Sequence, residues 1–295
     1  MIVILTYVAL IVFGAGFLYR GLSIAMMPVH LRWELAPVPH EKGRAHYGGS
    51  YLEEFEWWTK PREKSLVGEA FYMFQEIVFL KGVWEHNRSL WVFSFPFHFG
   101  LYLLVGMGGC LILASFGVPF FGPAALALGG AGYVLGSVGT LGLLARRAFD
   151  PKLKPFTSMA SYFNLLFLAA VFVTGCVALF SGGFLADMTS YLKAVAFAEA
   201  GPALGAAIST HIAVGMLFLV YLPFTYMMHF VAKYFTYHEV RWNGEPMSGN
   251  DAMQEEVKKL LGQTVTWSAP HIGADGKKNW VDIATAGTAK EKKDA

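Results

Sequence analysis

Five stretches of apolar sequence are each long enough to cross a lipid bilayer, and no other feature constrains the fold as tightly. They run near Ile2–Met26, Leu90–Gly117, Phe121–Leu144, Met159–Phe180 and Ala206–Lys233. A helix of about 20 apolar residues spans the hydrocarbon core of a bilayer. The expected fold class is therefore all-α, an integral membrane bundle of five transmembrane helices. Of the whole chain, 55% is hydrophobic and only 15% charged, which excludes an ordinary soluble domain. The expected division is a first transmembrane helix at 1–27, a cytoplasmic loop at 28–89, the four-helix membrane region at 90–233 and a cytoplasmic tail at 234–295.

The charges orient the bundle. With the amino terminus outside, the inner segments and the inner end of the first helix hold 22 of the 23 Lys and Arg residues, leaving Lys193 alone outside. Cytoplasmic loops collect Lys and Arg, so the expected topology is N-out and C-in. Nothing basic precedes the first apolar run and Arg20 follows most of it, so we read it as a retained signal anchor in reversed orientation.

The inner loop has local character. Prolines 28, 37 and 39 break its start, and Tyr51–Trp58 mixes acidic with aromatic residues. Over Val67–Trp84 the apolar residues recur at helical spacing, which predicts an amphipathic helix that lies in the interface, docks a partner or covers the inner ends of the bundle. Outside, a surface helix is expected near Met188–Ala198. In the tail, Asn250–Leu261 reads as a short helix with Asn250 as its cap. Thr266–Ala284 carries two tryptophans without an obvious core, which suggests docking to another subunit, and Ala289–Ala295 reads as a disordered end.

Histidine is the residue type that points to chemistry. His98 lies toward the inner end of the second apolar run, His229 at the inner end of the fifth and His211 near that run's outer end. Ionisable residues inside membrane segments mark function by default. The second and fifth helices run antiparallel, so His98 and His229 sit at matching depth. Two imidazoles facing across a bundle can ligate a six-coordinate haem b, a state suited to electron transfer. On a continuous helix, the 18 residues from His211 to His229 make five turns, which puts both on one face about 27 Å apart. Three roles stay open for His211: a second haem with an unidentified ligand, a quinone site, or structure. Met107 is at a suitable depth to partner it but falls on the face of its helix opposite His98.

Other chemistry finds little support. Cys110 and Cys176 lie inside apolar runs, and without a cysteine cluster the chain holds no iron–sulfur cluster of its own. Electrons bound for the cytoplasm would therefore need a partner that carries such clusters. His30, His40, His46, His86, His238 and His271 form no zinc pattern. The basic residues are dispersed beside membrane segments, which argues against nucleic-acid binding. Arg146, Arg147 and Lys233 are candidate partners for haem propionates.

Several motifs resemble a known family. Phe97-His98-Phe99-Gly100 followed by Val105-Gly106, Pro223-Phe224-Thr225 with His229 four residues later, and the spacing from His211 to His229 resemble the respiratory nitrate reductase gamma subunit. His30-Leu31-Arg32-Trp33-Glu34, Gly48-Gly49-Ser50-Tyr51, Trp57-Trp58 and Glu85-His86-Asn87-Arg88 resemble cytochrome b subunits of sulfate-reducer and related anaerobe complexes. The resemblance implies a multi-pass protein of the cell inner membrane that exchanges electrons with menaquinone. It also implies a cytoplasmic, heterodisulfide-reductase-D-like iron–sulfur partner and, in some members, a periplasmic multihaem cytochrome c. By position it makes His98 and His229 axial ligands of an inner haem iron and His211 a ligand of an outer one. The histidine this family carries around Met107–Gly109 is absent. The expectation is thus a haem b subunit with one haem or two. Its rivals are a haem-free membrane anchor and, less favoured because the helix interiors lack Asp, Glu, Lys and Arg, a transporter.

Overall fold

The structure is a computed structural model in which residues 1–27, 36–37, 66–239, 241–242 and 251–286 are described. Two compact units emerge. The first comprises Met1–Leu31 with Ser65–Glu239, the second Arg32–Lys64 with Val240–Ala295.

The first unit is the membrane bundle. Five segments are long and apolar enough to span: α1 (Ile2–Ala25), α4 (Arg88–Ser115), α5 (Phe121–Phe149), α6 (Met159–Phe180) and Ala206–Phe224, which contains α8 (Ala206–Tyr221). Between them lie α2 (Leu66–Val78), α3 (Lys81–His86) and α7 (Phe184–Ala196), and α9 (His229–Glu239) follows. Helix α4 packs most extensively on α5, α5 on α6, α6 on α8, and α8 on α1. Leu111, Phe172 and Ile208 are fully enclosed in the core. Ile4, Ile11, Val105, Val138, Phe163 and Leu217 instead point outward, as a lipid-facing surface requires.

Helices α4 and α5 come into backbone contact because glycine leaves them room. A Cβ on Gly100 would lie 2.7 Å from the Gly136 amide nitrogen, and one on Gly139 would collide with the backbone of Phe97. Small residues let membrane helices approach this closely. Asn87 starts α4 by accepting the Leu90 amide, and Ser158 starts α6 by accepting that of Ser161.

Two expected helices are broken. The fifth apolar run is not continuous to residue 233. After Tyr221 it passes through two 3-10 turns, Leu222–Phe224 and Tyr226–Met228, separated by Thr225 in extended conformation. Pro223 has no amide hydrogen to continue the helix, and the Thr225 hydroxyl accepts the Met227 amide to begin the next turn. The bend seats Pro223 on Gly16 of α1. The single face expected to carry both His211 and His229 therefore does not exist. The amphipathic stretch 67–84 is likewise divided, into α2 and α3, at Leu80 with φ 52° and ψ 48°. The outer surface helix is present, beginning at Phe184 rather than near Met188.

In the second unit, β1 (Ala36–Pro37) pairs in parallel with β2 (Arg241–Trp242). Helix α10 (Asp251–Leu261) is as expected, while Asn250, its expected cap, lies outside the described residues. Strands β3 (Ser268–Ala269) and β4 (Ala274–Asp275) form an antiparallel pair, followed by α11 (Trp280–Thr285), which is closed by a reciprocal Asn279–Asp282 capping box. Val265 and Ala274 are buried against Ile272 and Ile283, so the tail has a small core where none was expected. The Tyr51–Trp58 segment, the other motifs at 28–35 and 38–65, and the end at 289–295 lie outside the described residues.

Candidate functional site

His98 and His229 face one another. Helix α4 carries His98 at its half-buried inner portion, and the bend after α8 delivers His229 as the first residue of α9. Their ring centroids are 6.3 Å apart with the planes at 79°. Imidazole nitrogens bind metal ions at about 2.0 Å, so two rings on opposite sides of one iron have centres about 6 Å apart. The spacing of this pair fits an iron between them.

The ring nitrogens fit as well. His98 Nδ1 lies 2.7 Å from the Ser94 carbonyl oxygen one turn back, where it acts as the donor. That bond fixes the ring and leaves Nε2 free as a ligand atom. Neither nitrogen of His229 has a hydrogen-bond partner among the described residues, and the ring is exposed. Phe97 stands edge-on to His98 at 4.7 Å. Phe95, three residues before His98 on α4, stacks on Phe99, the residue after it, at 5.5 Å. This aromatic setting suits a flat macrocycle.

Lys233, one turn beyond His229, donates to Glu76 of α2 at 2.8 Å. Burial pushes the Glu76 carboxyl up, but the hydrogen bond and charge of Lys233 outweigh it and hold the group below its ordinary 4.5. Arg146 pairs with Asp150 at 2.6 Å and donates to Ser89, while its buried Nε has no partner among the described residues. Lys233 thus stands nearest in sequence to the histidine pair among the cations expected to serve haem propionates.

His211 has different neighbours. Its Nε2 is 2.8 Å from the Tyr133 hydroxyl on α5, and its Nδ1 is 3.2 Å from the Thr174 hydroxyl on α6. Thr174 donates to the Ala170 carbonyl, so it accepts from Nδ1–H, and Nε2 accepts from Tyr133. Both ring nitrogens are engaged by protein. Met107 is buried with its sulfur against Gly129 of α5. His211 thus has a protein partner at each ring nitrogen, whereas His98 has one at Nδ1 only. Sequence reasoning missed Tyr133 and Thr174 as partners of His211 and Ser94 as the anchor of His98. Polar residues within the spanning helices were the available signal.

Among the described residues no cluster of three or more His, Cys, Asp or Glu side chains could hold a free metal ion. The family model of the nitrate reductase gamma subunit matches residues 83–243, a stretch that contains His98, His211 and His229 and covers more than half of the chain. No curated protein and no solved structure matches.

Proposed function

From the premise that the chain belongs to the nitrate reductase gamma subunit family, and so is a multi-pass cytochrome b-type membrane subunit of a respiratory redox complex, we propose that it holds a single haem b between His98 and His229. In this reading it passes electrons between menaquinone and a cytoplasmic, heterodisulfide-reductase-D-like iron–sulfur protein. A periplasmic multihaem cytochrome c is a further partner in the same scheme, and the cell inner membrane is the location. The observation that carries the haem assignment is the 6.3 Å spacing of the two imidazoles.

Haem b, when bound, supplies a one-electron carrier. The chain's own residues do the rest. His98 and His229 would hold the haem through one ring nitrogen each, a two-histidine arrangement suited to electron transfer rather than oxygen chemistry. Ser94 holds the His98 tautomer through its carbonyl. Lys233 provides a cation at the inner end, shared with Glu76. Tyr133 and Thr174 hold His211 in a satisfied hydrogen-bonded set that ties α8 to α5 and α6. Partnership with other redox subunits agrees with the cysteine inventory, since two separated thiols build no iron–sulfur cluster.

Haem per polypeptide, measured by pyridine haemochrome on the purified protein, tests the proposal. The expected ratio is about one. His98→Ala and His229→Ala are each expected to abolish the low-spin spectrum. A full spectrum in either variant, or a colourless intact protein, overturns the assignment.

A further inference from the structure

Helix α2 is built inside out. Its exposed residues are Leu66, Val67, Ala70, Phe71, Phe74 and Ile77, and every one is apolar. Its polar residues are half-buried instead. A helix on a water-facing surface is arranged the other way, with the apolar stripe toward the protein. Here the polar side chains turn to the bundle. Glu76 pairs with Lys233 of α9 at 2.8 Å and accepts from Tyr72 at 3.3 Å. Gln75 accepts from Lys81 at 3.1 Å, and the Lys81 ammonium also lies over the Tyr72 ring, 5.3 Å from its centroid.

The end of α2 sits at membrane depth. The Tyr102 hydroxyl donates to the Ile77 carbonyl oxygen at 2.6 Å. Tyr102 is at the middle of α4, a span of 28 residues from Arg88 to Ser115, and so lies near the midplane of the bilayer. Half a hydrocarbon core is about 15 Å thick, well beyond the reach of a tyrosine side chain. The Ile77 carbonyl is therefore inside the hydrocarbon layer. Backbone groups there must be satisfied within the protein, because no water reaches them. The end of α2 meets that requirement with side-chain donors from α4: Ile77 accepts from Tyr102, and Phe79 accepts from the Trp91 indole nitrogen at 2.8 Å. Val105, one turn beyond Tyr102, belongs to the lipid-facing surface, so α2 is anchored on a side of α4 that faces lipid. After Leu80 the chain runs through α3 to the inner end of α4, where the Arg88 guanidinium lies over the Trp84 ring at 4.9 Å. Tryptophan and a cation together are typical of the membrane–water interface.

We propose that α2 is a re-entrant helix of the inner leaflet, with its apolar face seated against phospholipid acyl chains and its polar face held to the bundle. The inference stands whether or not haem is bound. Its two anchors, Tyr102 and Lys233, each lie four residues after a histidine of the facing pair. His98 and His229 are thus bordered on this side by α2 and its lipid rather than by water. The occupant is identified with benzoylphenylalanine placed at Phe71 or Phe74 of the full chain, irradiated in native membranes and read by mass spectrometry. The same probe at Phe163, exposed on α6, is the lipid reference. Adducts of phospholipid mass are expected at both α2 positions. Adducts to protein, which would make the face a docking surface for a partner or a second copy, overturn the proposal. So does the lack of a lipid adduct where Phe163 gives one. Depth is read in lipid nanodiscs from a nitroxide on Ile77→Cys in a Cys110→Ser, Cys176→Ser background. Its accessibility to oxygen relative to a nickel chelate is expected to resemble that at Phe163→Cys. A ratio matching Lys259→Cys, exposed on α10, overturns the proposal. Adding Tyr102→Phe, which keeps the ring and removes the donor, is expected to lower the Ile77 ratio toward the Lys259→Cys value. An unchanged ratio there overturns the role of Tyr102 in holding the helix end in the leaflet.

Discussion

His98, His211 and His229 differ in how their ring nitrogens are engaged by the rest of the protein. His98 has one nitrogen engaged and His229 has neither engaged among the described residues, whereas both of His211 are. His211→Leu is therefore expected to leave haem content unchanged while lowering stability. It strands the buried Tyr133 hydroxyl, at a cost of about 1–3 kcal/mol. Adding Tyr133→Phe removes the stranded group and should restore part of the loss, read as the midpoint of thermal unfolding in detergent. Loss of haem in His211→Leu would sink the single-haem proposal. The depth match of His98 with His229 was legible from residue counting alone, because depth follows rise per residue. The engagement of His211 was not, because Tyr133 and Thr174 sit on other helices and nothing in a single sequence states which helices touch.

At the scale of elements, the long apolar helices were readable and their interruptions were not. Hydropathy marks where a chain enters and leaves the bilayer, and α1, α4, α5 and α6 begin and end close to the apolar limits. Pro223 and Thr225 were visible, but a proline within an apolar run permits either a kink or a break; here it is a break, with Pro223 seated on Gly16. The α4–α5 pair rests on the absence of side chains. Gly139→Leu is expected to cost about 1–3 kcal/mol or to prevent assembly, because the new Cβ meets Phe97 backbone rather than a movable side chain. A midpoint of thermal unfolding equal to that of the parent protein would contradict this packing. The tie between α2 and α9 is electrostatic and depends on pH. Glu76 is held below its ordinary 4.5 by Lys233, so the stabilisation it gives is complete above that value and is lost as pH falls through the lower value in the folded protein. Hydrogen-exchange protection over residues 66–78, measured relative to the intrinsic rate at each pH, should fall on acidification below the ordinary 4.5. In Glu76→Gln it should already be low at neutral pH and change little on acidification. A parent protein whose protection there is independent of pH would refute the tie.

At the scale of the whole molecule, the five spans among the described residues place Met1 and α9 on opposite sides of the bilayer, and the basic residues select which side is which. The orientation has a functional consequence. His98, His229 and helix α2 belong to the inner side of the bundle only if the 28–89 loop is cytoplasmic. With the opposite orientation the same residues would face the periplasm, and no cytoplasmic iron–sulfur partner could approach them. In a Cys110→Ser, Cys176→Ser background, Lys193→Cys on α7 is therefore expected to react with a membrane-impermeant maleimide in intact cells. Arg147→Cys, at the end of α5, is expected to react only after the membrane is opened. Lys193 is exposed on α7 between the fourth and fifth spans, and Arg147 is half-buried in the last turn of α5, so reaction of both once the membrane is opened is the control for burial. The reverse pattern would invert the protein, and with it the direction from which any soluble redox partner reaches the histidine pair.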